Sequence, residues 1–295
     1  MHIAIYAKHI KEEHLDSIKK LIAKLRSMDV ELTFHEYIHR ALATNKLISS
    51  SEDVFSTYEK ASNQTQKPDA LLTIGGDGTM LDALTVVKDS EIPVMGINAG
   101  RLGFLAVSSF DTIEVLVEDL KSGNYILDKR SLLHLDSSRQ IFSTALALND
   151  FVLHKKDSSS MITVHTFLNG QYLTSYWADG LIVATPTGST GYSLSCGGPI
   201  IFPKSQSLVI TPIAPHNLNM RPVVIPDDQV ITFEIEGRSK TFMATMDARS
   251  MNITSEIALA IKKSDITFNL IRTQNHNFLE TLRNKMNWGL DSRNF

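Results

Sequence analysis

Cysteine and long apolar runs are what this sequence has least of, and both shortages restrict its class. The only cysteine among the 295 residues is Cys196, so an internal disulfide is excluded and we expect a reducing, cytoplasmic location. No apolar run approaches the length of a membrane span, and the apolar start from Met1 to Ala7 has no basic segment, so we expect neither a membrane partner nor a signal peptide. The net charge of -3 lacks the basic excess of a nucleic-acid-binding protein.

Several common motifs are also missing. No GxxxxGK[ST] segment is present, which excludes a P-loop, and the dinucleotide pattern GxGxxG fails at Leu81 when it is read from Gly76. There is no Gly-x-Ser-x-Gly elbow, no protein-kinase catalytic loop and no cysteine cluster that could hold zinc. We therefore expect no structural metal.

The first third of the chain alternates between the hydrophobic periods of strands and helices. Strand patterns occupy residues 3–7, 31–37, 70–74 and 93–98. Helical spacing of apolar residues occupies 15–28, 46–62, 80–88 and 112–121. Strands that alternate with helices imply a parallel sheet covered on both faces, in which ligands bind beyond the carboxyl ends of the strands.

From about Tyr125 to Arg272 the pattern changes to short β-like runs separated by turn residues, with Asn169-Gly170 as a predicted hairpin turn. This pattern is typical of a sandwich-like, all-β domain. We therefore predict an α/β domain with a parallel, Rossmann-like sheet at 1–110 and a mainly β, ligand-binding domain at 111–274. Helical spacing returns near the end, and we expect the tail 275–295 to pack back on the first domain.

The most informative segment is the turn Gly75-Gly76-Asp77-Gly78-Thr79, which lies between a predicted strand and a predicted helix. Glycines let the backbone approach a polyphosphate closely, and the amino end of a helix offers free N–H groups to the anion. An aspartate inside such a turn would repel phosphates, so it makes sense if it accepts a proton or faces a metal ion. The alternative is a helix N-cap, and the turn alone leaves both interpretations open.

Polar residues interrupt the β-patterned region at three places. Asn149-Asp150 breaks an apolar run, and this pair either occupies a bulge or edge position or hydrogen-bonds the hydroxyls of a ribose. The segment from Asp179 to Pro199 begins as a strand and becomes dense in hydroxyl and glycine residues, which suits a sugar-phosphate ligand better than a flexible linker. The segment from Thr245 to Arg249 places a charge pair after a strand, and a surface turn is its alternative interpretation.

Together these segments closely resemble the NAD kinase family, and most of all its Gram-negative bacterial members. The resemblance covers nearly the whole chain. The Gly-Gly-Asp-Gly turn alone is weak, because diacylglycerol kinases, sphingosine kinases and phosphofructokinases carry related turns. Asn149-Asp150 combined with Thr185-Pro186-Thr187-Gly188-Ser189-Thr190 is specific.

The resemblance implies that ATP phosphorylates the 2′-hydroxyl of the adenosine ribose of NAD, giving NADP and ADP, with Asp77 as the catalytic proton acceptor. It also implies a divalent cation, with Mg²⁺ as the expected ion and unknown protein ligands, and a homotetramer or homodimer. The implied NAD-binding residues are Asp77, Gly78, Asn149, Asp150, Ser160, Asp179, Thr190, Gly191, Tyr192, Ser193, Leu194, Ser195 and Arg249. The implied turn for the ATP phosphates is Gly75, Gly76, Gly78 and Thr79.

Four positions depart from the usual family pattern. Asp150 replaces a glutamate, Gly191 an alanine and Trp177 an arginine, while the position of Arg249 often holds a glutamine. Two other functions compete with the kinase interpretation. A lipid kinase that shares the glycine turn would need an apolar or membrane-facing surface, and a non-catalytic NADP-binding sensor would bind nucleotide without consuming ATP.

Overall fold

A computed structural model describes residues 1–58, 67–100, 103–106, 108–156, 161–274 and 277–287. Contacts divide the chain into two compact units. Unit 1 comprises Met1–Lys129 and Asn269–Phe295, and unit 2 comprises Arg130–Phe268. The C-terminal tail therefore belongs to the same unit as the amino-terminal residues, as the sequence predicted.

Unit 1 begins with strands and helices that alternate along the chain. Helix α1 illustrates why they form, because its buried residues Ile18, Leu21, Ile22 and Leu25 make one apolar stripe that packs on the buried residues of the sheet. The elements are β1 (His2–Tyr6), α1 (Leu15–Ser27), β2 (Glu31–His35), α2 (Glu36–Thr44), β3 (Val54–Phe55), β4 (Ala70–Gly75), α3 (Asp77–Val87), β5 (Val94–Asn98) and α4 (Ile113–Ser122).

The strands of unit 1 form a parallel sheet in the order β3–β2–β1–β4–β5. Ile3 lies opposite Ala70 on one side of β4, and Leu71 lies opposite Val94 on the other. The order of the strands reverses direction between β1 and β4, and ligands of such sheets bind beyond the carboxyl ends of the strands at this position. The Rossmann-like sheet is confirmed, and the glycine turn follows β4 at this reversal.

One predicted helix of unit 1 is wrong. Helix was expected at 46–62, whereas residues 46–58 contain turns and the short strand β3, and the remainder of that range lies outside the described residues. The helix instead begins at Glu36, immediately after β2. The side chain of His35 accepts a hydrogen bond from the Tyr37 N–H at 3.3 Å and caps it, and Ile38 and Leu42 bury one face.

Unit 2 consists mainly of antiparallel strands in two sheets. Its elements are β6 (Ile126–Ser137), β7 (Leu146–Ala147), β8 (Asp150–Lys155), β9 (Ile162–Leu168), β10 (Gln171–Ala178), β11 (Gly180–Ala184), α5 (Tyr192–Ser195), β12 (Ser207–Ile213), β13 (Val223–Pro226), β14 (Ile231–Glu236), β15 (Thr241–Met246), β16 (Arg249–Thr254) and β17 (Leu259–Arg272). Strands β6 and β17 begin or end in unit 1.

The two sheets of unit 2 pack around one apolar core, which confirms the predicted sandwich. One sheet has the order β13–β12–β11–β8–β15–β16, and the other contains β10–β9–β14–β17. Phe151, Tyr176 and Phe242, all almost fully buried, contribute large side chains to this core. The predicted turn Asn169-Gly170 joins β9 to β10 with positive φ at both residues, as a tight hairpin turn requires.

The chain ends in helix α6 (Phe278–Met286), which belongs to unit 1. Asn277 caps the helix by accepting the Leu279 N–H, and the side chains of Thr281 and Leu282 are buried. None of the helices in the described part of the chain combines the length and the apolar character that a membrane crossing needs.

Candidate active site

The glycine turn of unit 1 passes directly from the end of β4 into the first turn of α3. A side chain at Gly75 would overlap the side chain of Thr79, so this position requires glycine. Gly76 and Gly78 are exposed, and a side-chain carbon added at either would meet no atom within 4 Å. The backbone of the turn is therefore open to a ligand at the amino end of a helix, where N–H groups favour anions.

The carboxylate of Asp77 is fixed by the segment Gly103–Ala106, which follows β5. Its Oδ2 accepts the Phe104 N–H at 2.8 Å, and its Oδ1 accepts the N–H groups of Leu105 and Ala106 at 2.9 and 3.1 Å. A side chain at Gly103 would overlap this carboxylate, so the close approach requires glycine. Asp77 thus joins the turn after β4 to the segment after β5.

Arg272 holds the same segment through its carbonyl groups. The guanidinium of this buried residue donates to the Leu105 carbonyl at 2.8 Å and to the Phe104 carbonyl at 3.1 Å. Its Nε lies 3.7 Å from the carboxylate of Asp128. The segment after β5 is therefore held by an anion on its N–H groups and by a cation on its carbonyl groups.

The C-terminal helix adds a second cation near Asp77. Lys285 places its Nζ 3.6 Å from the Asp77 Oδ2 and 5.0 Å from the centre of the Phe104 ring. The Phe278 ring lies 6.3 Å from the same phenylalanine ring. Helix α6 therefore contacts the residues that surround the proposed catalytic carboxylate.

In unit 2, Asn149-Asp150 lies where the chain enters β8, next to the segment that follows β11. The Thr185 N–H donates to the Asn149 carbonyl at 2.9 Å, and the Thr185 hydroxyl donates to the Leu148 carbonyl at 2.6 Å. A side-chain carbon at Gly191 would lie 3.4 Å from the Asn149 amide nitrogen and 3.8 Å from the Asp150 Oδ2. The structure thus brings together two of the polar segments that the sequence analysis singled out, Asn149-Asp150 and the segment after β11.

Asp247, which the sequence analysis did not assign to the site, fixes this region. Its carboxylate accepts the N–H groups of Leu148, Asn149 and Asp150 at 2.9, 2.7 and 3.3 Å. The segment is the tight turn between β15 and β16, as the alternative interpretation expected, and Ala248 in it is exposed. The side chain of Asp247 is nevertheless only 3% exposed. Asp247 therefore sets the backbone position of Asn149-Asp150.

Burial perturbs the pKa of both carboxylates. Burial, together with the nearby charge of Asp247, raises the pKa of Asp150 to about 7. Burial also raises the pKa of Asp247, although its three N–H bonds and Arg249 oppose that shift. Tyr192, which is half-exposed, has a pKa raised by burial and then by the charges of Cys196, Asp179 and Asp150. The charges of Asp179 and Asp150 therefore both act on Tyr192.

Most hydroxyl groups of the segment after β11 are used within unit 2. Ser189 donates to the Pro186 carbonyl at 2.7 Å and accepts the Ile201 N–H at 2.9 Å. Ser193 is buried and lies 2.8 Å from the Thr211 hydroxyl, and Thr190 donates to the Thr187 carbonyl at 3.2 Å. These bonds give the segment a fixed shape, and Tyr192 and Ser195 are among its exposed residues.

The remaining residues suggested by the sequence have different surroundings. Asp179 pairs with Lys155 at 2.7 Å. Arg249 donates to the carbonyl groups of Thr144, at 2.7 Å, and Leu146. Trp177 is exposed, with its ring 5.6 Å from that of His216. Ser160 lies outside the described residues.

The sequence analysis overlooked one metal motif, because His35-Glu36-Tyr37-Ile38-His39 matches the zinc pattern HExxH. His35 precedes the helix as its cap, and its ring packs edge-on against those of Tyr6 and Phe55. Among the described residues, no group of three or more histidine, cysteine or acidic side chains could hold a metal ion. The motif therefore contributes the cap and the first residues of α2.

Comparisons with known proteins identify the class that this fold and site define, a nucleotide kinase of two domains. The models for the N-terminal and C-terminal domains of ATP-NAD kinase match residues 3–125 and 148–273. The NAD kinases of Cytophaga hutchinsonii and Flavobacterium psychrophilum are 46% and 43% identical, with full coverage of both chains in each case. The chain therefore belongs to the NAD kinase family.

Solved structures agree with the fold. An NAD kinase from Archaeoglobus fulgidus in complex with ATP is 25% identical, with a TM-score of 0.72 and coverage of 97% of this chain and 99% of that one. A yeast NADH kinase complexed with NADH has a TM-score of 0.84 at 21% identity, covering 99% of this chain and 89% of that one. At that identity, the yeast structure supports the fold alone.

The close approach of Gly103 to the Asp77 carboxylate predicts that substitutions at these two positions affect stability in a coupled way. Gly103→Ala should lower the free energy of unfolding by about 1–3 kcal/mol, because the added methyl group overlaps the Asp77 carboxylate. In an Asp77→Ala background the overlap disappears, so the same substitution should cost much less. Denaturant unfolding of the unsubstituted protein, the two single variants and the double variant measures this coupling.

Gly100→Ala is the matched control, since a methyl group there meets no atom within 4 Å. Equal costs of Gly103→Ala in the presence and absence of the Asp77 carboxylate would contradict the proposed contact.

The raised pKa of Asp150 predicts how stability changes with pH. The native state holds a proton on Asp150 up to about pH 7, whereas the unfolded chain loses it near pH 4, so the native state loses stability as the pH rises through this window. Asp150→Asn removes this titration, and its melting temperature relative to the unsubstituted protein should therefore increase between pH 5 and pH 8.

Thermal unfolding over that pH range tests the prediction, with Asp111→Asn, at an exposed position, controlling for the loss of one carboxylate. A difference between Asp150→Asn and the unsubstituted protein that stayed constant or shrank as the pH rose would show that Asp150 does not hold its proton in the native state.

Proposed function

We propose that Asp77 accepts the proton of the 2′-hydroxyl of the adenosine ribose during the ATP-dependent phosphorylation of NAD to NADP, the activity that family membership assigns to this chain. One observation carries this assignment. The Asp77 carboxylate lies at the start of α3, beyond the sheet edge where ligands bind, and three backbone N–H groups hold its orientation. A fixed orientation favours transfer of a proton to a defined atom.

The hydrogen bonds of Asp77 are compatible with this role. The two oxygens of a carboxylate offer about four acceptor positions, so three backbone N–H bonds leave room for a hydroxyl donor. Carboxylates in general are weak bases toward an alcohol. The hydroxyl becomes acidic as its bond to phosphorus forms, and a well-placed weak base then suffices.

The phosphates of ATP are assigned to Gly75, Gly76, Gly78 and Thr79. The exposed backbone at Gly76 and Gly78 supports this assignment, because no side chain separates it from a ligand. Mg²⁺ bound to the nucleotide would neutralise part of the phosphate charge. The residues of unit 1 position the nucleotide and hold the carboxylate that receives the proton.

In unit 2 we assign NAD contacts to Asn149, Asp150, Asp179 and the segment Thr190–Ser195. The proximity of Gly191 to the Asn149 amide and the Asp150 carboxylate supports this grouping. Gly78 in unit 1 and Ser160, outside the described residues, complete the assignment together with Arg249. The bonds of Arg249 to Thr144 and Leu146 occupy part of its guanidinium, so its contact with NAD stays a prediction.

The proposal includes a cytoplasmic homodimer or homotetramer that uses Mg²⁺. The single cysteine, Cys196, supports the reducing location. The first experiment mixes the purified protein with NAD, ATP and Mg²⁺ and detects NADP with an NADP-specific dehydrogenase. NADP formation that requires both ATP and Mg²⁺ is the expected result, and a folded protein that binds NAD but forms no NADP would contradict the proposal.

Asp77→Asn tests the proton acceptor. We expect kcat to fall by about 10²–10⁴-fold with little change in the KM for NAD, because the amide cannot take the proton. The amide would also face backbone N–H groups, so stability should fall by about 1–3 kcal/mol.

Steady-state kinetics and thermal unfolding of the Asp77→Asn variant measure both effects. Asp82→Asn, on the same helix but paired with Lys8 at 2.9 Å, is the control. A kcat of the Asp77 variant close to that of the unsubstituted protein would rule out the assignment.

A further inference from the structure

Phosphoryl transfer at the glycine turn needs positive charge, yet the turn itself contains no lysine or arginine. The C-terminal helix α6 brings one to it. The Lys285 Nζ lies 3.6 Å from the Asp77 Oδ2, and both side chains are about one-third exposed. This ion pair joins residues that are more than two hundred positions apart in the sequence.

The position of Lys285 is fixed by contacts at both ends of α6. At its start, Asn277 caps the helix and Phe278 lies near Phe104. In the middle, Leu282 is only 1% exposed. At its end, the ammonium group of Lys285 lies over the Phe104 ring, a geometry that favours the cation. The ammonium is therefore held beside Asp77 by packing as well as by charge.

The ion pair itself is suited to exchange. At 3.6 Å and with solvent access on both sides, it is longer than a charge-assisted hydrogen bond and contributes little stability. A phosphate carries more negative charge than a carboxylate and offers more acceptor oxygens. A phosphate bound at the turn would therefore compete well for the ammonium.

We propose that Lys285 binds the terminal phosphate of ATP and is the protein-borne cation of the transfer, an inference that rests on the proposed role of Asp77. In the structure the ammonium pairs with Asp77. When ATP binds, the ammonium moves to the phosphate and leaves the Asp77 Oδ2 available to the ribose hydroxyl. The same cation then balances the charge of the transferring group.

Lys285→Met tests this proposal, since it keeps an unbranched side chain and removes the charge. The KM for ATP should rise by about 10-fold or more and kcat should fall, because a charged hydrogen bond to phosphate is lost. The KM for NAD should stay within about 2-fold of the original value. Lys285→Arg should restore part of the ATP affinity. The KM for ATP should also depend less on KCl concentration in the Met variant than in the unsubstituted protein.

Arg283→Met is the matched control, because it removes one positive charge from an exposed position of the same helix. Equal effects of the two Met substitutions, or an unchanged KM for ATP in the Lys285 variant, would overturn the proposal. A higher kcat in Lys285→Met would also overturn it, since Lys285 would then only restrain Asp77. If the Met variant does not fold, Lys285→Gln against Lys285→Arg provides the same comparison.

The unsubstituted protein separates failure of this inference from failure of the proposed function. If it forms NADP while Lys285→Met changes nothing, only the role of Lys285 is wrong. If the unsubstituted protein forms no NADP from ATP and NAD, the function itself is wrong. Asp77→Asn is assayed together with the unsubstituted protein and Lys285→Met. It shows whether the carboxylate is needed for activity even if Lys285 is not.

Discussion

The carboxylate of Asp77 holds together the two connections at the ligand-binding edge of the parallel sheet. Its three hydrogen bonds join the turn after β4 to the segment after β5, and Arg272 holds that segment from its carbonyl side. Without this anion, the N–H groups of residues 104–106 would lose acceptors in a partly buried place, which costs about 1–3 kcal/mol for each unsatisfied group. The residue that we propose as proton acceptor thus also holds two backbone segments together, so one side chain has both a structural and a proposed catalytic role.

Unit 2 uses the same device at its own candidate site. Asp247 accepts three consecutive backbone N–H groups, those of residues 148–150, and so fixes the polar pair at the start of β8. In both units a carboxylate from a turn after one strand holds the backbone next to another strand. A carboxylate can accept several N–H bonds at once because it has two oxygens and no donor of its own when ionised. This gives each site a defined backbone without requiring regular secondary structure there.

The sequence predicted the parts of the fold that depend on local pattern. Alternating periods predicted the strands at the core of both units, and the run of motifs predicted the family. The helix expected at 46–62 was wrong because the helix begins directly after β2, at Glu36, and its buried positions Ile38 and Leu42 lie in a stretch that the sequence analysis assigned to no element. The hydrogen bonds that hold the two sites could not be predicted, since Asp77 contacts residues 27–29 positions away and Asp247 contacts residues 97–99 positions away. No local period encodes such contacts. The HExxH match at 35–39, which the sequence analysis overlooked, does not place both histidines on one helix, because His35 is the residue that caps α2.

The two anchoring carboxylates differ in one respect that explains why chemistry is assigned to only one of them. The Asp247 side chain is 3% exposed and the Arg249 Nη2 is 4.0 Å away, so no ligand can displace its partners without leaving a buried charge unpaired. The Asp77 side chain is 29% exposed, and the cation paired with it, Lys285, lies on the exposed face of α6. Exchange of that cation for a substrate group costs little, because both partners keep access to water. A buried carboxylate can therefore hold backbone segments permanently. A carboxylate with one side open to solvent can hold them and also exchange its cation for a substrate group.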